Sequence, residues 1–159
     1  MPANPDPVRF AESLEGRLRA AGLRVTAPRL AVLAAVEGIG QHRDAAAVAE
    51  AARARLGTLS TQSVYDNLNA LVDAGLVRRI QPAAHPARYE IQTGDNHHHI
   101  VCRTCGATAD VACAVGYAPC LEPADDHGYA VDEAEVLYWG HCPSCRSRNE
   151  NPSTEIPKP

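Results

Sequence analysis

Two Cys-x-x-Cys pairs, Cys102/Cys105 and Cys142/Cys145, constrain the fold of this 159-residue chain more than any other feature. A Cys-x-x-Cys turn aims two thiolates at one point, and two such turns complete the tetrahedron of sulfur ligands that zinc prefers. Four sulfurs leave no open position for a substrate, so the spacing predicts a structural zinc site, one per subunit, that ties folding to metal binding. The alternative, a pair of disulfides, is disfavoured by the short spacing and by the lack of a secretory signal.

The opening of the chain predicts where the protein resides. Residues 1–7 contain three prolines and no apolar segment of the kind that forms a signal peptide, so this stretch is expected to be disordered. No apolar run in the sequence approaches the length needed to span a bilayer. The sequence therefore predicts a cytoplasmic protein without a membrane partner, in a reducing compartment that keeps thiolates available for metal.

The formal net charge of -4 hides an uneven distribution along the chain. Residues 1–88 hold 11 Lys and Arg against 8 Asp and Glu, whereas residues 89–159 hold 4 against 11. The basic half suits nucleic-acid phosphates, and the acidic half, rich in His and Cys, suits a divalent cation. The charge distribution alone does not exclude chance variation in surface charge, so the functional assignment depends on the motifs.

Apolar spacing and capping residues predict a run of short helices followed by a β-hairpin in the first half. A helix is expected over 8–21, and three more are expected to begin after the caps Thr26, Asp44 and Ser60. The segments 76–80 and 88–91 predict two strands around a proline-containing turn. This order is the winged helix-turn-helix plan, so the sequence predicts an α+β protein whose first domain binds double-stranded DNA.

The helix capped by Ser60 is predicted to be the recognition helix. Its apolar residues recur at helical spacing, and its polar residues cluster near its N-terminal end, where a recognition helix meets base edges and phosphates. The predicted DNA-contacting residues of this helix are Ser60, Thr61, Gln62, Tyr65 and Asn67. The helical pattern alone does not exclude the alternative, an ordinary helix with a solvated polar face.

The run His97-His98-His99 predicts half of a second metal site. On a strand, His97 and His99 point to one face while His98 points to the other. Two imidazoles on one face suit iron, manganese, zinc or nickel.

Several motifs, taken together and in order, resemble the ferric uptake regulator (Fur) family. They are the segment Gly22–Arg29, the segment Ser60–Leu68, the run His97–His99 and the two Cys-x-x-Cys pairs, within roughly residues 8–146. The resemblance implies a homodimeric, metal-dependent transcriptional repressor with an N-terminal winged helix and a C-terminal α/β dimerisation domain. The expected boundaries are a winged-helix domain over 8–92, a hinge over 93–96, a dimerisation and metal-binding domain over 97–146, and a disordered tail over 147–159.

The resemblance also implies functional residues. Arg24, Arg29 and Tyr65 fall where the family contacts operator DNA. The regulatory metal, Fe(II) or Mn(II) with Zn possible, is implied to bind five residues from both domains, namely His42, Glu90, His97, His99 and Asp110. A metal shared in this way is expected to fix the angle between the domains and thereby the spacing of the recognition helices.

The sequence indicates less directly which signal the expected regulator senses. Asp110 and the segments 110–121 and 132–140 resemble the peroxide-responsive branch and actinobacterial regulators of catalase-peroxidase genes, whereas Glu90 favours iron-sensing members. Cys113 and Cys120 are left over from the zinc site, and they are either a redox pair or packed small residues. The alternative to peroxide sensing is a regulator that follows iron or zinc supply only.

A non-haem iron enzyme is the alternative from a different class. Such an enzyme needs a substrate pocket on a large scaffold, and this chain has neither the length nor a second catalytic motif. We therefore expect no enzymatic activity and no small-molecule substrate.

Overall fold

The computed structural model describes residues 13–38, 42–93, 97–112, 125–131 and 136–149. The chain divides into two compact units, Met1–Thr93 and Gly94–Pro159, which are described separately below. Among the described residues, no helix is both long enough and apolar enough to cross a bilayer. The predicted disordered start, residues 1–7, lies outside the described residues, as do Cys113 and Cys120.

The described residues of the first unit form four helices, and their starting points are set by side-chain caps. The helices are α1 (Leu14–Ala20), α2 (Ala27–Glu37), α3 (Ala45–Leu56) and α4 (Thr61–Asp73). The Thr26 hydroxyl accepts from the Arg29 amide at 3.3 Å, Asp44 Oδ1 accepts from the Ala47 amide at 2.8 Å, and the Ser60 hydroxyl accepts from the Ser63 amide at 3.1 Å. All three predicted caps are therefore confirmed.

A single hydrophobic core holds these helices together. On α4, Val64, Leu68 and Leu71 are spaced by four and three residues and are essentially inaccessible to solvent, so one stripe of the helix faces inward. Leu33 of α2 and Leu18 of α1 are equally buried and join the same cluster. Each such side chain contributes about 1.5–3 kcal/mol by leaving water. The opposite face of α4 is thereby fixed toward solvent.

A three-stranded antiparallel sheet completes the first unit. Its strands are β1 (Arg43–Asp44), β2 (Val77–Ile80) and β3 (Arg88–Ile91), in the order β1-β3-β2. The strand β3 has the predicted bounds, and β2 begins one residue later than predicted. The sequence did not predict β1, because two residues are too short to show the alternation that marks a strand.

The second unit is built on a mixed sheet. Its strands are β4 (His97–Cys102), β5 (Thr108–Ala112) and β6 (Leu137–Gly140), in the order β5-β4-β6. The pair β4–β5 is antiparallel, whereas β4 and β6 run parallel with Cys102 opposite Gly140. The C-terminal ends of β4 and β6 therefore lie side by side, which brings the turns that follow them together.

A helix that the sequence did not predict follows β6. Helix α5 spans Pro143–Asn149, so residues 147–149 are helical rather than part of a disordered tail. Proline at the first helical position has the required φ and lacks only an amide that would be unpaired there. The Arg146 amide donates to the Cys142 carbonyl at 2.9 Å and starts the helix inside the second Cys-x-x-Cys pair. Because the helix begins inside the Cys-x-x-Cys pair, the sequence pattern does not indicate its start.

Candidate metal and nucleic-acid sites

The four cysteines of the two pairs converge at the adjacent ends of β4 and β6. Cys102 ends β4 and Cys105 lies in the following turn, while Cys142 follows β6 and Cys145 lies on α5. Their Sγ atoms all lie within 4.8 Å of one another. The parallel pairing of β4 with β6 therefore assembles a cluster of four sulfurs.

The spacing of these sulfurs fits zinc and excludes disulfides within the cluster. The Sγ atoms of Cys105 and Cys142 are 3.7 Å apart, and all four thiols are free. A zinc ion with Zn–S bonds of about 2.3 Å has tetrahedral edges of about 3.8 Å. A disulfide would need about 2.05 Å between sulfurs. The donor set and its spacing thus match a tetrahedral zinc site.

Main-chain amides and neighbouring thiols shift the pKa values of two cysteines of the cluster in opposite directions. Backbone hydrogen bonds at Cys142 and Cys105 lower the pKa of the Cys102 thiol to about 5. Hydrogen bonding with the Cys142 side chain, together with burial, raises the pKa of the Cys145 thiol to about 12. The metal-free cluster therefore gives up its first proton easily and retains its last. Zinc must displace the retained protons, so acid favours the metal-free state.

One arginine approaches the cluster directly. Arg148 of α5 donates from Nη2 to Cys145 Sγ at 3.7 Å and from Nε to the Ser144 carbonyl at 3.1 Å. A cation at this distance offsets the negative charge of thiolate ligands.

A second group of metal-ligating side chains lies on β4 and β5. Asp110 is opposite His99 in the antiparallel register, so the two side chains share a face of the sheet with His97. The His99 Nε2 atom is 3.7 Å and the His97 Nε2 atom 3.9 Å from Asp110 Oδ1. His98 points away and contacts the Tyr138 ring, with centroids 6.1 Å apart. The predicted division of the three histidines between two faces is confirmed.

A third group lies in the first unit and joins β1 to β3. His42 Nε2 is 2.8 Å from Glu90 Oε2, and both side chains are only 4% exposed. Arg43 pairs with Tyr89, so continuing the register places His42 opposite Glu90. His42 has φ 64°, a left-handed conformation that is uncommon outside glycine. The short strand β1 thus explains how residues 48 positions apart in sequence meet.

Most, but not all, of the DNA-contacting residues predicted on α4 lie on its solvent-exposed face. Tyr65 is 44% exposed, and Gln62 is exposed and donates to Asp66 at 2.7 Å. The prediction that Asn67 lies on this face is wrong. Its side chain is 7% exposed and donates to the Ser63 carbonyl at 2.7 Å. Asn67 lies one residue before the buried Leu68, at the edge of the inward stripe.

Arg24 and Arg29 have different environments. Arg24 is exposed in the segment before α2. The Arg29 guanidinium folds back, and its Nη1 donates to the Arg24 carbonyl at 2.7 Å. Arg29 therefore supports the backbone that carries Arg24. Sequence reasoning missed a third arginine, Arg53 of α3, which donates to the Leu59 carbonyl and the Thr61 hydroxyl beside the start of α4.

A four-cysteine cluster, groups of His and carboxylate side chains, and a helix with a polar exposed face are the features expected of a metal-responsive transcriptional regulator. The family model described as the Ferric uptake regulator family matches residues 20–138, so the chain belongs to that family. Its mixed helix and strand content is similar to that of solved family members.

Named relatives include two from mycobacteria. The chain is 59% identical over 131 residues to ferric uptake regulation protein 1 of Mycolicibacterium fortuitum, with 82% of this chain and 81% of that protein covered. It is 58% identical over 129 residues to transcriptional regulator FurA of Mycobacterium tuberculosis, with 81% and 87% covered. The ferric uptake regulator of Pseudomonas aeruginosa, solved with manganese, is similar with a TM-score of 0.66 and 27% identity, covering 82% of this chain and 99% of that one.

Proposed function

We propose that this chain is a metal-dependent repressor that binds double-stranded operator DNA as a homodimer in the cytoplasm. Its first unit is the winged helix-turn-helix domain, with α4 in the major groove and the β2–β3 hairpin as the wing. Its second unit is the dimerisation domain. The four cysteines hold one structural zinc ion per subunit.

The main support for this proposal is that nitrogen and oxygen ligands are divided between the two units. The first unit offers a His–Glu pair, and the second offers two histidines and an aspartate. Neither set has enough donors to fill the coordination shell of iron or manganese alone. We infer that His42 and Glu90 share one Fe(II) or Mn(II) ion with His97, His99 and Asp110, with Zn(II) as a possible substitute. Metal binding then selects one arrangement of the two units and thereby the DNA-binding state.

Metal removal tests this function most directly. The zinc-loaded protein supplied with Mn(II) should shift an operator duplex in a gel, and a chelator that removes Mn(II) but leaves the cysteine zinc should abolish the shift. Re-addition of Mn(II) should restore it. Equal DNA binding with and without the chelator would contradict the proposed metal dependence. No DNA binding in either state would contradict the proposed repressor function.

We expect substitutions at Tyr65 and Arg24 to weaken operator binding without changing metal content or dimerisation. Tyr65→Ala and Arg24→Ala should each raise the dissociation constant by about tenfold, the typical loss for one good DNA contact. Because Arg24 is assigned to a phosphate, Arg24→Ala should also reduce the salt slope by about one unit.

Matched variants separate the possible contacts. Arg24→Lys keeps the charge and should keep the slope. Tyr65→Phe keeps the ring, so it should retain binding if Tyr65 contacts a thymine methyl and lose binding if its hydroxyl contacts a phosphate. Unchanged affinity in both alanine variants would show that the DNA-contacting surface lies elsewhere.

We further infer that peroxide switches the repressor off. An Fe(II) ion held by these residues would supply the redox chemistry that activates hydrogen peroxide. In the net reaction, one peroxide oxygen would be added to an imidazole ring and the other would leave as water, and His42 and His97 are the candidate rings by resemblance to the family. An oxidised imidazole is a poorer ligand, so metal affinity and DNA binding fall together. After mild peroxide treatment, mass spectrometry should find a gain of one oxygen, about 16 Da, on a histidine-containing peptide in the Fe(II) form and not in the Mn(II) form.

Two other outcomes would assign a different signal. Oxidation confined to Cys113 and Cys120 would indicate thiol sensing. No oxidation, with DNA binding that simply follows the Fe(II) concentration, would make the protein a sensor of metal supply. The second outcome agrees with the name of the Mycolicibacterium fortuitum relative, ferric uptake regulation protein 1.

A further inference from the structure

Arg53 is an arginine of α3 whose side chain is bonded to the turn that leads into α4. Its Nε donates to the Leu59 carbonyl at 2.8 Å, and its Nη2 donates to the Thr61 hydroxyl at 3.1 Å. These acceptors lie on either side of Ser60, the residue that caps α4. One planar guanidinium therefore fixes both flanks of the point at which α4 begins.

The main chain of Arg53 also contacts the turn between α3 and α4. The turn begins at Gly57, whose φ of 82° is in the region that favours glycine, and residues 58–60 form no regular structure. The Gly57 amide donates to the Arg53 carbonyl at 2.7 Å. Arg53 thus bonds to Gly57 through its main-chain carbonyl, and to Leu59 and Thr61 through its side chain.

The bond to Thr61 also affects what that hydroxyl can offer to a ligand. A threonine hydroxyl has one proton and two lone pairs. Because the Thr61 oxygen accepts from Arg53, one lone pair is used and the proton remains available for an acceptor in solution or on DNA. Acceptors on the major-groove edge, such as guanine O6 and N7, distinguish base pairs.

We propose that Arg53 is a positioning residue for operator recognition. It holds the first turn of α4 and the Thr61 hydroxyl in the orientation that meets base edges, and it does not itself bind a phosphate. This inference rests on the proposed function of α4 as the recognition helix. It differs from the usual role of an arginine next to a DNA-reading helix, because the Nε donor and one Nη2 donor of this guanidinium are used within the fold.

The test compares specific with non-specific binding. The full-length protein, loaded with zinc and Mn(II), is titrated with an operator duplex selected by the wild-type protein from a random library, and with a scrambled duplex of equal length and composition. Arg53→Ala should bind the operator about tenfold more weakly, a typical coupling within one hydrogen-bond network. Its affinity for the scrambled duplex and its salt slope should match those of the wild type.

Three further variants sharpen the result. Arg53→Lys keeps the charge but loses the planar fork, so it should remain as weak on the operator as Arg53→Ala. Arg55→Ala removes an exposed charge two residues along the same helix and should leave operator preference unchanged. In a Thr61→Val background, the effect of Arg53→Ala should shrink, because the two residues act through one bond.

Several results would overturn the inference. A salt slope reduced by about one unit, with equal losses on both duplexes, would mean that Arg53 contacts a phosphate. Full rescue by Arg53→Lys would mean that only its charge matters, and unchanged operator affinity in Arg53→Ala would remove any role. Should Arg53→Ala be unfolded at the assay temperature, Arg53→Gln replaces it. A wild-type protein that does not prefer its selected duplex would overturn the proposed function itself, and with it this inference.

Discussion

Cys102→Ser and Cys145→Ser are expected to prevent zinc binding and thereby to disrupt the fold of the second unit. Both residues are only 3% exposed, and their sulfurs belong to a cluster in which every Sγ atom lies within 4.8 Å of the others. A serine hydroxyl is a far weaker zinc ligand than a thiolate, and zinc binding supplies roughly 10 kcal/mol or more of folding free energy in small zinc domains. Gel filtration should therefore find monomers, and atomic absorption should find less than one zinc ion per chain.

A control for this prediction is available in the same turn. Thr104 lies between Cys102 and Cys105, is exposed, and its hydroxyl bonds to His141 Nδ1 at 3.1 Å. Thr104→Ser should keep zinc and the dimer. A Cys145→Ser protein that remains a zinc-free, folded dimer would show that the four-cysteine cluster is not a structural metal site.

The second large effect is expected at the strand β4. His99→Ala should lower the affinity for Mn(II) by about a hundredfold, because removing a direct ligand costs at least as much as removing a supporting residue. The cysteine zinc should stay bound. Operator binding should then need correspondingly more Mn(II), since the proposed function links metal binding to DNA binding. Titration calorimetry with Mn(II) measures the first change, and gel shifts across Mn(II) concentrations measure the second.

The neighbouring histidine provides the control. His98 is on the other face of β4 against Tyr138, so His98→Gln should leave the Mn(II) affinity near the wild-type value. Because His99 is fully buried, Asp110→Asn is a milder second variant that removes a charge at a partly exposed position. Equal Mn(II) affinity in wild type, His99→Ala and Asp110→Asn would exclude these residues from the regulatory site.

The features that the sequence could predict are those in which one residue type has a local role. Thr26, Asp44 and Ser60 are small oxygen-bearing side chains before apolar periodic segments, and each caps a helix as expected. The alternation of side chains along a strand separates His98 from its two neighbours. Ligand spacing of two intervening residues predicts a sulfur cluster.

The features that it could not predict depend on contacts between distant segments. Strand β1 has two residues and exists because it pairs with β3. The recurrence of apolar residues places the buried stripe of α4 correctly, but it does not define the stripe's width, so the predicted exposure of Asn67 is wrong. Arg53 carries no sequence signal at all, because an arginine on an exposed helix usually has its guanidinium in water.

The His42–Glu90 pair has a consequence for the sensitivity of the proposed regulator. In the metal-free chain, His42 Nε2 and Glu90 Oε2 lie 2.8 Å apart in a buried position. A metal ion that used both atoms as ligands would replace their interaction with each other, so this contact competes with the proposed metal. We expect the competition to raise the metal concentration at which the proposed regulator begins to respond. Substitutions that weaken the contact without removing a ligand would therefore lower the response threshold.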